Sequence, residues 1–169
     1  MVSSRAVPLT FVAGSSRDVF NPELASVIDT ELRKRFALPA AESEEPYHSD
    51  EVDGRGWAAL QERVPEIAGI DAYQAVFIPA QSDCVVEIPL PHVADPLHVC
   101  SIDMLMDALQ QFAKRASLPT DDVELMQLAA HFLEGDDPNA DLDVQTYVQL
   151  MLTAKQAAVH RQPLWLYAS

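Results

Sequence analysis

The chain has 169 residues, 49% hydrophobic and 22% charged, which fits one globular domain and excludes wholesale disorder. Its 26 acidic residues against 11 basic ones leave a net charge of −15, so direct nucleic-acid binding, which needs a basic footprint on phosphates, is not expected. Two cysteines are too few for a disulfide scaffold, and no stretch approaches the ~18 consecutive apolar residues of a membrane span.

Residues 7–13 alternate apolar Val7, Leu9, Phe11 and Ala13 with other side chains, the period of a first strand. Asn21-Pro22-Glu23 is a helix start, with a capping residue, Pro at the first helical position and an acid in the first turn. Leu24, Val27, Ile28 and Leu32 carry this helix to about Phe36. The run Arg33-Lys34-Arg35 at its end complements the helix dipole. Residues 39–53 hold six acids, no base and no apolar period, and a mobile acidic loop is expected over about 39–54. Trp57, Leu60 and Val64 mark a short helix, and Pro65 opens a turn that adds Ile67 and Ile70.

Two strand-like runs follow, at 75–80 and 84–90, separated by Gln81-Ser82-Asp83. That spacing predicts a β-hairpin. Pro79 and Pro89 place its strands at the sheet edge or lie at strand ends, because neither can donate a ladder hydrogen bond. Residues 97–100 form a further short strand. Ser101 caps a helix striped by Ile102, Leu105, Met106, Leu109, Phe112 and Ala113 and closed by Leu118-Pro119. Thr120 is read as the cap of the next helix. On that helix Val123, Met126, Ala129, Ala130 and Leu133 form one face, and Leu125, Leu128 and Phe132 broaden it, which predicts deep packing. Gly135 stops it. Asp141 is read as the cap of a last helix with stripe Val144, Tyr147, Val148, Met151 and Leu152; Pro163 ends it before a strand at 164–167.

The order is not a regular βαβ alternation, so the expected fold is a single α+β domain over 1–169. It has a small, mostly antiparallel sheet (N-terminal strand, central hairpin, C-terminal strand) packed against four to five helices, with a helix-rich C-terminal half. The terminal strands are candidates to pair.

Catalytic and cofactor motifs fail one by one. Gly14-Ser15-Ser16-Arg17 lacks the Lys and the spacing of a phosphate loop, and Gly-x-Ser-x-Gly is absent. His92, His98, Cys100 and Asp103 are of types that suit zinc or a thiolate, and an enzyme or metal-binding protein using His92, His98 and Cys100 is the alternative reading. Each also has an ordinary structural role, so no metal or cofactor is expected. The loop Asp137-Pro-Asn139-Ala-Asp141-Leu-Asp143 starts like a calcium loop, but the sixth position is Leu142 and the twelfth Val148, where Gly and Glu are required.

One feature is one-sided. Residues 116–154 contain no Lys or Arg and eight carboxylates: Asp121, Asp122, Glu124, Glu134, Asp136, Asp137, Asp141 and Asp143. Such a surface repels nucleic acid and membrane and attracts basic partners. The expectation is a small acidic cytoplasmic module that neutralises or escorts a basic protein, by class analogy with immunity proteins, antitoxins and secretion chaperones. Those eight carboxylates are its contact surface. The bland counterpart is a solvated face that keeps the protein soluble. Wide apolar helix faces also permit a homo-oligomer.

Overall fold

In a computed structural model of the chain, the structure describes residues 7–38, 45–70, 75–80, 85–90, 95–135 and 141–168. These form strands β1 (Leu9–Ala13), β2 (Tyr47–His48), β3 (Ala75–Ile78), β4 (Val86–Ile88), β5 (Leu97–Ser101) and β6 (Leu164–Ala168). The helices are α1 (Pro22–Arg35), α2 (Gly54–Arg63), α3 (Ile102–Ala116), α4 (Asp122–Glu134) and α5 (Leu142–His160). The fold is α+β with a helix-rich C-terminal half. The strands make one sheet in the order β2-β1-β6-β3-β5-β4.

Period-2 alternation sorts this sheet into two apolar faces. Leu9, Phe11, Ala75, Phe77, Cys100, Leu164 and Leu166 point to the side covered by α2, α3 and α5. Val76, Ile78, Ile88, Leu97, Val99 and Trp165 point to the other side, where Ile28 and Leu32 of α1 cover them. The result is three layers. α4 is the exception: it lies on α5, outside the layer that touches the sheet.

Local chemistry accounts for the helix ends. Asn21 accepts from the Leu24 amide at 2.9 Å, Asp53 from Arg55 at 2.9 Å and Ser101 from Asp103 at 3.1 Å. Two of the expected caps are corrected. Asp121, not Thr120, caps α4, accepting from Val123 at 3.1 Å and Glu124 at 3.3 Å. Asp141 does hold the cap position of α5, but its left-handed backbone (φ 51°) leaves its side chain with no capping hydrogen bond.

The central hairpin is also corrected. β3 pairs in parallel with β5 (Val76 opposite Val99) and antiparallel with β6, while β4 pairs with the far side of β5. The sheet is therefore mixed rather than mostly antiparallel. The reason is burial: β3 is buried at every position and needs neighbours on both sides, whereas β4 carries exposed Glu87 and is followed by Pro89, features of an edge. Pro79 lies one residue beyond β3, where it breaks no ladder. The turn at 81–83 lies outside the described residues. The terminal strands do pair, β1 with β6 over five residues.

Residues 45–53, in the acidic segment read as a loop without elements, carry β2 on the edge of β1. Val12 faces His48 and Leu9 faces Val52, so one extra residue is accommodated on the β2 side, as in a β-bulge. Ser49 Oγ accepts the Phe11 amide at 2.9 Å and fills the gap in the ladder.

α5 is the axis of the helical layer, with buried residues on all its sides. Its buried Thr146 and Thr153 hydroxyls donate to carbonyls one turn back, at 2.9 Å to Leu142 and 2.7 Å to Gln149, so burial leaves neither unsatisfied. α2 crosses α5 closely at Gly56, where a Cβ would sit 2.6 Å from the Leu142 carbonyl oxygen and against Thr146 Oγ1.

Candidate functional site

At ~100° per residue, the apolar side chains of α4 cover well over half its circumference. Only part of that surface is used. Leu125 and Ala129 are buried against α5, with Leu128 and Phe132 half-covered. Val123 is 61% exposed, Met126 59% and Leu133 73%. The expectation of deep packing for this face is thus reversed by the structure. Together with exposed Ala130, these residues follow a 3-4-3 spacing, the a/d seam of helix-on-helix packing, and the seam faces outward.

Beside this seam lies an open groove of about 250 Å³. One wall is Met126, Ala129, Ala130 and Leu133 of α4; the other is Tyr47 and His48 of β2 with Asp50; the floor is Gln149 and Leu152 of α5. The β2 wall is tied to the floor by a two-point clamp. The Asp50 amide donates to Gln149 Oε1 at 3.0 Å, and Gln149 Nε2 donates to Asp50 Oδ2 at 3.3 Å.

The groove is acidic at its rim. Burial, then Asp50, then Asp122 push the Tyr47 phenol above its ordinary range, which puts carboxylates of both walls within electrostatic reach of one ring. Asp122 stands at the N-terminal end of the seam and Glu134 at the C-terminal end, ~18 Å apart along the axis.

The eight carboxylates fall into different roles. Asp121 is a cap. Asp122 pairs with Lys155 at 2.7 Å, and the same ammonium donates to the Thr120 carbonyl. Asp143 pairs with Arg63 at 2.7 Å, away from the groove, and that guanidinium also lies 4.8 Å over the Phe112 ring. Glu124, Glu134 and Asp141 are exposed, with no Lys or Arg at ion-pair distance among the described residues. Asp136 and Asp137 lie outside the described residues. Asp121, Asp122 and Glu124 cluster in the first turn of α4; Asp143 belongs to a separate contact between α5 and α2.

Of the alternative set, His92 lies outside the described residues. His98 and Cys100 alternate with Val99, so the pleat puts both on one face of β5. His98 Nε2 is 3.4 Å from Glu87 Oε1, its cross-strand partner. Cys100 is buried, its sulfur 3.8 Å from the Ser101 carbonyl oxygen and 3.9 Å from the Met104 sulfur. Among the described residues no group of three or more His, Cys, Asp or Glu is placed to hold a metal ion. No described helix is long and apolar enough to cross a membrane.

Sequence reasoning missed Tyr47, His48, Asp50 and Gln149 as groove residues. Nothing local marks them, because β2 and α5 meet across a hundred residues of chain. The α4 seam was visible as a pattern, and its direction was not. No family model, curated protein or solved structure matches the chain.

Proposed function

We propose that this chain is a protein-binding module that neutralises or escorts a basic partner protein, and that α4 is the centre of its contact surface. The observation behind this reading is the outward apolar seam of α4, bounded by carboxylates on a chain of net charge −15. Exposed apolar residues aligned on one helix are the kind of patch that marks an interaction surface. The carboxylates around them favour a cationic partner and speed its approach. Asp121, Asp122 and Asp143 already serve the fold, so Glu124 and Glu134 are the contacts whose loss leaves the chain intact. Asp136, Asp137 and Asp141 extend the same acidic stretch along the chain.

The test is affinity capture from native lysate at low salt with wild type and with an E124Q/E134Q double variant, the eluates identified by mass spectrometry. A basic protein recovered near stoichiometry by wild type, and captured more slowly by the variant at equal thermal stability, supports the reading. An eluate empty at every salt concentration leaves the carboxylates a solvating face.

A further inference from the structure

We infer that the groove between α4 and β2 seats an amphipathic basic helix of a protein partner, with apolar residues at heptad spacing against Met126, Ala130 and Leu133 and Lys or Arg side chains toward Asp50 and Glu134. This inference rests on the basic-partner reading above and adds the shape of what is bound.

The periodicity of the exposed face selects a helix. A strand presents side chains every second residue, whereas the exposed residues of α4 recur at 3-4-3 intervals over ~15 Å, the spacing that meshes with a second helix. The groove beside them offers the matching depression, floored by the buried Leu152 and Gln149. The rival mode is strand addition to the outer edge of β2. That strand is two residues long, and the Asp50 amide just beyond it is already held by Gln149. An added strand would find too few ladder partners for main-chain recognition.

Charge selects the flanks of that helix. The β2 wall contributes Asp50 beside Tyr47, and Glu134 closes the far end of the seam. A helix with cationic flanks is complementary to that rim. A second copy of this chain is not: each copy carries net charge −15, and pairing two α4 seams in either direction sets carboxylates against carboxylates.

The probe is a synthetic acetylated peptide of about 21 residues, three heptads, with Leu at the a and d positions and Lys at e and g. Its control is a scrambled peptide of identical composition and charge without the seam. Titration calorimetry with the full chain at low salt is expected to give a Kd on the order of 10 µM for the heptad peptide. The scrambled peptide is expected to bind about tenfold more weakly or less. M126D and L133D, both at exposed positions, should each cost about tenfold for the heptad peptide with the circular dichroism spectrum unchanged. E134R should also weaken it, and should raise the affinity for a twin peptide with Glu at e and g above the wild-type chain's value for that twin.

Equal binding of the two peptides would overturn the inference and leave the basic-partner reading standing on charge alone. Heptad binding indifferent to M126D, L133D and E134R would put the site elsewhere. No binding of either peptide would overturn the inference, and an empty lysate eluate in the preceding experiment would then remove the broader reading as well. A concentration-dependent dimer in sedimentation, abolished by L133D, would assign the seam to a second copy and overturn it too.

Discussion

The two faces of α4 make opposite demands on stability, and Leu125→Ala against Leu133→Ala measures both. Leu125 is fully buried against α5. Truncating a fully buried leucine removes its transfer free energy and leaves a cavity, for a loss of roughly 2–5 kcal/mol. Leu133 is 73% exposed. Complete burial of a leucine is worth about 1.5–3 kcal/mol, so the quarter of Leu133 that is covered contributes ~0.4–0.8 kcal/mol. Alanine keeps part of that contact and favours the helix by a few tenths of a kcal/mol, which leaves a net change of about 0.5 kcal/mol or less. Urea unfolding of wild type and both variants, followed by far-ultraviolet circular dichroism and by the fluorescence of buried Trp57 and Trp165, gives the difference directly. A loss above about 1.5 kcal/mol for Leu133→Ala at dilute concentration would mean that the seam is covered within the single chain. The groove would then be core rather than surface, and the binding proposal would fall with it.

Other outcomes follow from the same geometry. Gly56→Ala forces a methyl against the Leu142 carbonyl and should destabilise by about 1–3 kcal/mol, read as a lower urea midpoint; an unchanged midpoint would show that α2 and α5 can separate freely. The Tyr147 phenol donates to the Pro119 carbonyl at 2.6 Å, and burial pushes its pKa up to about 12 from 10.0. The unfolded chain ionises first as pH rises, so this contribution is whole below pH 10 and disappears between there and about 12; Tyr147→Phe should flatten that stretch of the stability profile, and a profile identical to wild type would refute the assignment. D50N and D122N should each bring the Tyr47 phenol down toward its ordinary range, followed by tyrosinate absorbance; no movement in either variant would mean that the rim charges do not share that ring. In a C84S background, Cys100 should react with a thiol reagent only as fast as the chain unfolds; prompt labelling of native protein would return the His98 and Cys100 segment to consideration as a reactive site.

Where the information was local, the residue pattern was enough. Asn21-Pro22, Ser101 and Pro163 act on amides and dihedrals within a turn of themselves, so α1, α3 and the start of β6 stand where their sequence puts them. Thr120 and Asp121 show the grain of such reasoning: both are capping types, and only the backbone geometry chose the second. The unbroken apolar runs at 75–78 and 164–166 likewise marked strands, while their burial on both faces is a finding of the structure.

What the tertiary structure decided is which surfaces meet. Cys84 to Leu90 follows β3 closely in the chain, yet the β3 edge is taken by β5, because a strand with buried residues on both faces displaces one that carries Glu87 and a following proline. The acidic run 45–53 has no period of its own and becomes β2 because the β1 edge offers amides and carbonyls that must be paired. The α4 stripe is legible as apolar from its residues alone. Whether such a stripe is core or surface depends on what stands opposite. α5 has a neighbour on every side, whereas among the described residues α4 packs mainly on α5, and so Val123, Met126 and Leu133 are left facing outward.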